Sequence, residues 1–210
     1  MNFHFVFVHG WGAAPDFWKG LIKCLPGIKA SKIDLGFIGG QENIAEQPHD
    51  AVIHDTAIYV THSLGTMWAL KNRHANMKAL ITINGFPCFK NFTDERVLQV
   101  MKKRLKRNPG AQMKEFWQGG GLPFHENFNI EKLQTGLEWL TSWDANQELK
   151  GLKCPVLSLA GQSDPILPIS IMQQEWEGHA LQICDGAGHA LPLSHSQWCA
   201  ERIKDFVCNV

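Results

Sequence analysis

The segment Ile58-Tyr59-Val60-Thr61-His62-Ser63-Leu64-Gly65-Thr66 constrains the fold more than any other stretch. The run from Ala57 to Val60 is apolar and β-forming, and it stops at a small polar cluster. Met67-Trp68-Ala69-Leu70-Lys71 then favours a helix. Strand, tight turn and helix in this order put Ser63 on the corner. A serine held on such a corner at the end of a parallel strand is presented as a nucleophile, usually within Gly-x-Ser-x-Gly. Thr61 stands at the first glycine position, so the turn needs more room ahead of the serine. Gly65 keeps the second, and with it a close approach of helix to strand. The plainer alternative is that Ser63 only N-caps the helix, which serine does well.

The flanking sequence supplies a sheet for this corner. Phe3 to Val8 is a continuous apolar run, as in a strand buried on both faces, and it ends in His9-Gly10-Trp11-Gly12. A helix is predicted from Pro15 to Leu25, and a second strand from Lys32 to Leu35. Gln41 to Asp55 is polar with a weak helical pattern. Further strands are predicted at Ala57–Thr61, Lys78–Ile83, Pro155–Ala160 and Ala180–Cys184. Helices are predicted at Ile169–Trp176 and Ser194–Val207. Residues 91–140 carry no strand pattern but three helical runs, Val97–Leu105, Met113–Trp117 and Ile130–Leu140. The expectation is an α/β fold: a mostly parallel sheet with helices on both faces, in a single domain over 1–210, with a helical cap inserted at 90–140. In such sheets the working site lies beyond the carboxyl ends of the strands. The polar and glycine-rich clusters fall there: His9-Gly10, His62-Ser63, Asn84-Gly85, Ser163-Asp164 and Gly188-His189.

A serine hydroxyl needs a base to take its proton, and the base needs a group to orient it. Ser63, Asp164 and His189 meet this in the chain order serine, acid, histidine, each placed after a strand. Taken singly, Asp164 could be an ordinary turn aspartate before Pro165, and His189 a surface loop residue. Asp144, Asp185 and His195 fit less well: the first closes the helical insertion, the second is too near His189 in the chain, and the third starts a helix. Acyl transfer also needs donors aimed at an oxyanion, and the backbone N–H groups of Leu64 and Trp11 are the candidates. The glycines around Trp11 form no phosphate-binding pattern, and the six cysteines show no Cys-x-x-Cys spacing, so no metal and no cofactor is expected. The cysteines read as buried thiols, and the eight tryptophans suit either a lined pocket or a core. Twenty basic residues balance twenty acidic ones, which points away from nucleic acid and membrane surfaces. No secretory leader and no bilayer-length apolar run is read, so a cytoplasmic monomer is the expectation.

With these residues in place the sequence resembles the α/β-hydrolase superfamily, and most closely the pimeloyl-[acyl-carrier protein] methyl ester esterases of biotin synthesis. The resemblance is carried by Val8-His9-Gly10-Trp11-Gly12 with Phe17-Trp18, by Thr61-His62-Ser63-Leu64-Gly65, and by Ile83-Asn84-Gly85-Phe86-Pro87-Cys88-Phe89. A fourth stretch runs from Gly136 through Trp143-Asp144 to Gly161-Gln162-Ser163-Asp164. It implies a serine carboxylesterase that removes the methyl group from a pimeloyl chain on acyl carrier protein, through an acyl-serine. It further implies Ser63, Asp164 and His189 as the triad, Trp11 and Leu64 as the oxyanion hole, and Phe116 as an aromatic lining the acyl pocket. Family caps meet the acidic carrier with arginines, but Ala111 and Glu115 stand near Phe116 here. The basic run Lys102, Lys103, Arg104, Lys106 and Arg107 could serve instead, or be a solvated helix face. The same parts also suit a general short-chain carboxylesterase, a thioesterase or an acyltransferase. A non-catalytic binding protein on this fold is the reading from another class.

Overall fold

Apolar runs without a polar face are stable only as strands covered on both sides. Such segments form the centre of a six-stranded sheet in the computed structural model, which describes residues 3–39 and 57–210. The strands are β1 (His4–Val8), β2 (Lys29–Ile33), β3 (Ala57–His62), β4 (Met77–Ile83), β5 (Val156–Gly161) and β6 (Ala180–Cys184). The order across the sheet is β2-β1-β3-β4-β5-β6, and every neighbouring pair is parallel. β3 and β5 are buried throughout, whereas the edge strand β2 is exposed along most of its length.

The chain leaves β1 toward β2 on one side and resumes at β3 on the other. The sheet therefore reverses direction between β1 and β3, where α/β sheets open a crevice above their carboxyl ends. Val8 pairs with Thr61 across that boundary, so the His9-Gly10 turn and the Ser63 corner emerge side by side.

The helices are α1 (Lys19–Lys23), α2 (Leu64–Arg73), α3 (Glu95–Arg107), α4 (Pro109–Gly120), α5 (Ile130–Ser142), α6 (Asn146–Gly151), α7 (Ile169–Glu175), α8 (Leu191–Ser194) and α9 (Ser196–Val207). The segment between β4 and β5 is helical, as its sequence predicts. Its helices start where short polar side chains can cap them: Asp94 accepts from Arg96 N, Asn108 from Ala111 N and Asn129 from Lys132 N. Pro109 at the first position explains why α4 begins four residues before the predicted Met113, since its missing N–H costs nothing there.

Other boundaries also differ from expectation. β2 is Lys29–Ile33 rather than Lys32–Leu35, because Asp34 turns its carboxylate onto Gly36 N–H (2.8 Å) and ends the strand. The predicted first helix opens as a 3-10 turn over Pro15–Trp18. The helix predicted from Ser194 begins at Ser196 as α9, and His195 separates it from the short, unpredicted α8. α6 has no sequence signal, being six largely polar residues. Only Cys88, Cys184 and Cys199 are buried; Cys24 and Cys154 are half-buried and Cys208 is exposed. The helical pattern at 41–55 lies outside the described residues. No helix among the described residues is long and apolar enough to cross a membrane.

Two glycines give opposite expectations. A Cβ on Gly65 would lie 2.5 Å from Val8 O and 2.6 Å from His9 O, backbone atoms that cannot move aside. Gly65→Ala should lower unfolding stability by about 1–3 kcal/mol in urea titration. Gly110, in the first turn of α4, has open space around it, so Gly110→Ala should be neutral or stabilising by about 0.5–1 kcal/mol.

Candidate active site

Ser63 sits between β3 and α2 with φ 51° and ψ −126°, a conformation that residues with a Cβ rarely adopt. Such strain persists only where the surroundings over-determine it. Its own N–H is held by Ile83 O (3.2 Å), and its carbonyl accepts from Thr66 N (3.0 Å). One residue on, Gly65 is pressed against the end of β1. Thr61 is accommodated by polar pairing beneath α2: its hydroxyl lies 2.8 Å from Thr66 Oγ1, which lies 2.8 Å from Thr82 Oγ1. The Ser63 side chain makes no capping bond to α2, so the N-cap alternative describes its position and not its hydrogen bonding.

Asp164 and His189 meet across two loops. His189 Nδ1–H donates to Asp164 Oδ2 at 2.8 Å, and both side chains are almost fully buried. The other carboxylate oxygen accepts from Ile166 N (2.7 Å) and Leu167 N (3.0 Å). A carboxylate so saturated fixes the imidazole tautomer and leaves the Nε2 lone pair free to accept a proton. Ser63 Oγ and His189 are not hydrogen-bonded to each other, and such contacts commonly tighten only with substrate. The residue before Ser63 adjoins this pair, the His62 ring lying 4.8 Å from the His189 ring, and Gly10 packs against Ser63 itself, where a Cβ on Gly10 would lie 2.9 Å from Ser63 Cβ. The rival candidates are engaged elsewhere or exposed. Asp144 accepts from Asn146 and pairs with Lys90 (3.8 Å), Asp185 is exposed, and His195 bonds Ser194 (2.9 Å).

Beside Ser63, Leu64 opens α2 and Trp11 follows Gly10. Trp11 is tied to the helical segment by its indole, which donates to Leu133 O of α5 (2.8 Å). Reciprocally, the Trp117 indole of α4 donates to Gly12 O (2.7 Å), where Gly12 has φ +66°. Phe116 is half-buried and stands edge-on to Trp11 at 4.5 Å. It also lines a groove of about 580 Å³ with Val97, Val100, Met101, Pro165 and Ile166, the last two directly following Asp164. Arg104 and Glu115 form an ion pair at this groove, which lowers the Glu115 carboxyl from its usual range. Lys103, Lys106 and Arg107 of the basic run are exposed, and Lys102 is half-buried.

Sequence reasoning gave no role to His62. Its ring lies between Phe17 (4.5 Å) and His189 (4.8 Å), and its Nε2–H donates to His189 O at 3.0 Å. Complete burial holds its imidazole well below the usual histidine range, and the neighbouring His189 adds to that effect.

A profile of the alpha/beta hydrolase family matches residues 5–202. The chain belongs to that family. Among the hydrolases it resembles is the pimeloyl-[acyl-carrier protein] methyl ester esterase of Legionella pneumophila (strain Corby), 25% identical over 229 residues that cover 96% of this chain and 94% of the relative. A protein of the same name from Pseudoalteromonas atlantica is 23% identical, covering 92% and 90%. Among solved structures, a bromoperoxidase from Bacillus anthracis superposes with TM-score 0.80 at 14% identity, covering 99% of this chain and 92% of that one. An esterase from Exiguobacterium antarcticum gives 0.79 at 16%, covering 98% and 92%. At those identities the two structures show the hydrolase fold alone.

The depressed His62 group has a consequence for the pH dependence of this hydrolase's stability. Unfolded, His62 takes a proton below about pH 6.5, while folded it stays neutral to much lower pH. The unfolded state then binds more protons, so the contribution is fully present above pH 6.5 and is lost as pH falls toward the folded value. Urea titrations at descending pH should show up to about 1.4 kcal/mol per pH unit from this one group. His62→Phe should flatten the dependence by that amount; an unchanged slope would show that His62 is not the neutral group described.

Proposed function

We propose that the protein is a serine carboxylesterase, with Ser63 as nucleophile, His189 as general base and acid, and Asp164 as the group that orients it. The observation that carries the reading is the buried Asp164–His189 hydrogen bond, set beside a serine on a strained strand–helix corner. In the first half-reaction His189 Nε2 takes the Ser63 proton as Oγ bonds to the ester carbonyl carbon. The N–H groups of Leu64 and Trp11 would stabilise the oxyanion. Collapse breaks the bond to the alcohol, which leaves with the proton from His189. Water, deprotonated by His189, then attacks the acyl-serine, and Ser63 regains its proton as the acid departs.

We further infer that the substrate is a pimeloyl methyl ester carried on acyl carrier protein, with methanol as the leaving alcohol. Support comes from the names of relatives aligned over nearly the whole chain. The apolar groove beside Phe116 suits an acyl chain, and the helices α3 to α5 would act as a cap over it. The exposed cations of α3 would face an acidic carrier.

Two measurements test this. Ser63→Ala should reduce hydrolysis of p-nitrophenyl esters by roughly 10⁴-fold or more, since single triad deletions in serine hydrolases reach about 10⁶. Retained hydrolysis would remove the nucleophile assignment. Methyl pimeloyl-carrier protein should be turned over with higher kcat/KM than free short methyl esters. A preference for the free esters would redirect the reading to a general carboxylesterase.

A further inference from the structure

Two non-glycine residues among those described have positive φ. One is Ser63; the other is Asn84, at φ 44°. Asn84 directly follows β4, is completely buried, and takes no part in the chemistry above. Its backbone N–H and both ends of its side-chain amide are nonetheless committed. The backbone N–H donates to Leu159 O of β5 (2.8 Å). Oδ1 accepts from Gly161 N, the last residue of β5 (2.8 Å). Nδ2 donates to two carbonyls of one loop, Gly188 O (3.0 Å) and His189 O (2.8 Å). These partners fix the amide orientation, because a flipped amide would set oxygen against two carbonyls and NH₂ against an N–H.

The loop so held has no regular secondary structure, and its other backbone bonds lie nearer its start, where Ala187 O accepts from Ser163 N (2.8 Å) and Ala187 N donates to Cys184 O (3.4 Å). Gly186 has φ +69°, Gly188 has no side chain, and α8 begins only at Leu191. It runs close to the end of β5, where a Cβ on Gly161 would meet Ala187 O at 2.5 Å and Gly188 O at 2.6 Å. His189 O receives a second buried donor, His62 Nε2 (3.0 Å). The His189 side chain is therefore fixed at both ends: its main chain by Asn84 and His62, its Nδ1 by Asp164 (2.8 Å). With both ends held, Nε2 has one direction left to it. Through Gly161, three residues before Asp164, the same amide also ties the strand from which the acid emerges.

We propose that Asn84 is a positioning residue for ester hydrolysis: it clamps the His189 carbonyl, together with His62, and so aims Nε2 at Ser63. The proposal rests on the reading of Ser63, His189 and Asp164 as a triad. Asn84→Gly is the primary test, because glycine accepts the positive φ while deleting the amide. It should keep the fold, seen as an unchanged far-ultraviolet spectrum. It should lower kcat for a p-nitrophenyl ester about 10- to 100-fold, the scale set by a small misplacement of a reacting group, with KM within about twofold. Asn84→Asp should lose at least as much, because a carboxylate oxygen then faces two carbonyls. His62→Phe keeps the ring stack and one clamp, so its loss should be smaller, and the double variant should lose more than the two losses multiplied.

A second readout does not depend on turnover. The proton His189 Nδ1–H shares with Asp164 should give a far-downfield NMR resonance in the full-length wild-type protein, and Asn84→Gly or Asn84→Asp should broaden or shift it. A folded Asn84→Gly with wild-type kcat and an unchanged resonance would overturn the proposal. So would a wild-type protein without that resonance. If the wild type turns over no ester but the resonance responds to Asn84 as described, the positioning role stands and the esterase reading fails.

Discussion

The structure depends most on the close approach between α2 and the end of β1. Gly65 allows the helix backbone to press against the carbonyls of Val8 and His9, closer than any side chain would permit. That contact fixes the corner on which Ser63 is strained, and it sets the His9-Gly10-Trp11 turn beside the same corner. The Ser63 corner and the His9-Gly10-Trp11 turn are thus positioned against each other by one backbone contact. It also lies at the point where the strand order reverses, where β1 and β3 leave neighbouring loops on the same crevice.

Around this contact, loops are held by buried side-chain donors rather than by regular secondary structure. Indole N–H groups recur in this role. Trp11 donates to Leu133 O, Trp117 to Gly12 O, and Trp176 to Gly85 O, each joining a loop at a strand end to a distant helix or reaching it from one. An indole contributes a large apolar body and one directed donor, so it fills the interior and still satisfies a loop carbonyl. This accounts for three of the eight tryptophans without assigning them to substrate. It also couples the helices between β4 and β5 to the turn at Trp11, so whatever shifts those helices is felt there.

The main features were legible in the sequence because they rest on local pattern. Apolar runs ending in small polar clusters located β1, β3, β4, β5 and β6 and the ends from which Ser63, Asp164 and His189 project. Placement directly after a strand, rather than at the end of the helical insertion, then selected Asp164 over Asp144, and the structure brings Asp164 and His189 together. What escaped lacks a local signature. β2 is an exposed edge without an apolar pattern, and α6 is short and polar. Thr61 looked like a defect because its hydroxyl partners, Thr66 and Thr82, lie on other elements. His62 and Asn84 act on a carbonyl more than a hundred residues away in the chain, and nothing in their neighbours announces it.

The central claim is that Ser63 is an activated nucleophile. Reaction of the intact protein with a fluorophosphonate, followed by peptide mass spectrometry, addresses it most directly. The expected result is a single stoichiometric adduct on the peptide containing Ser63, absent from Ser63→Ala and strongly slowed in Asp164→Asn. An unlabelled Ser63 in folded protein, or an adduct on another residue alone, would contradict it.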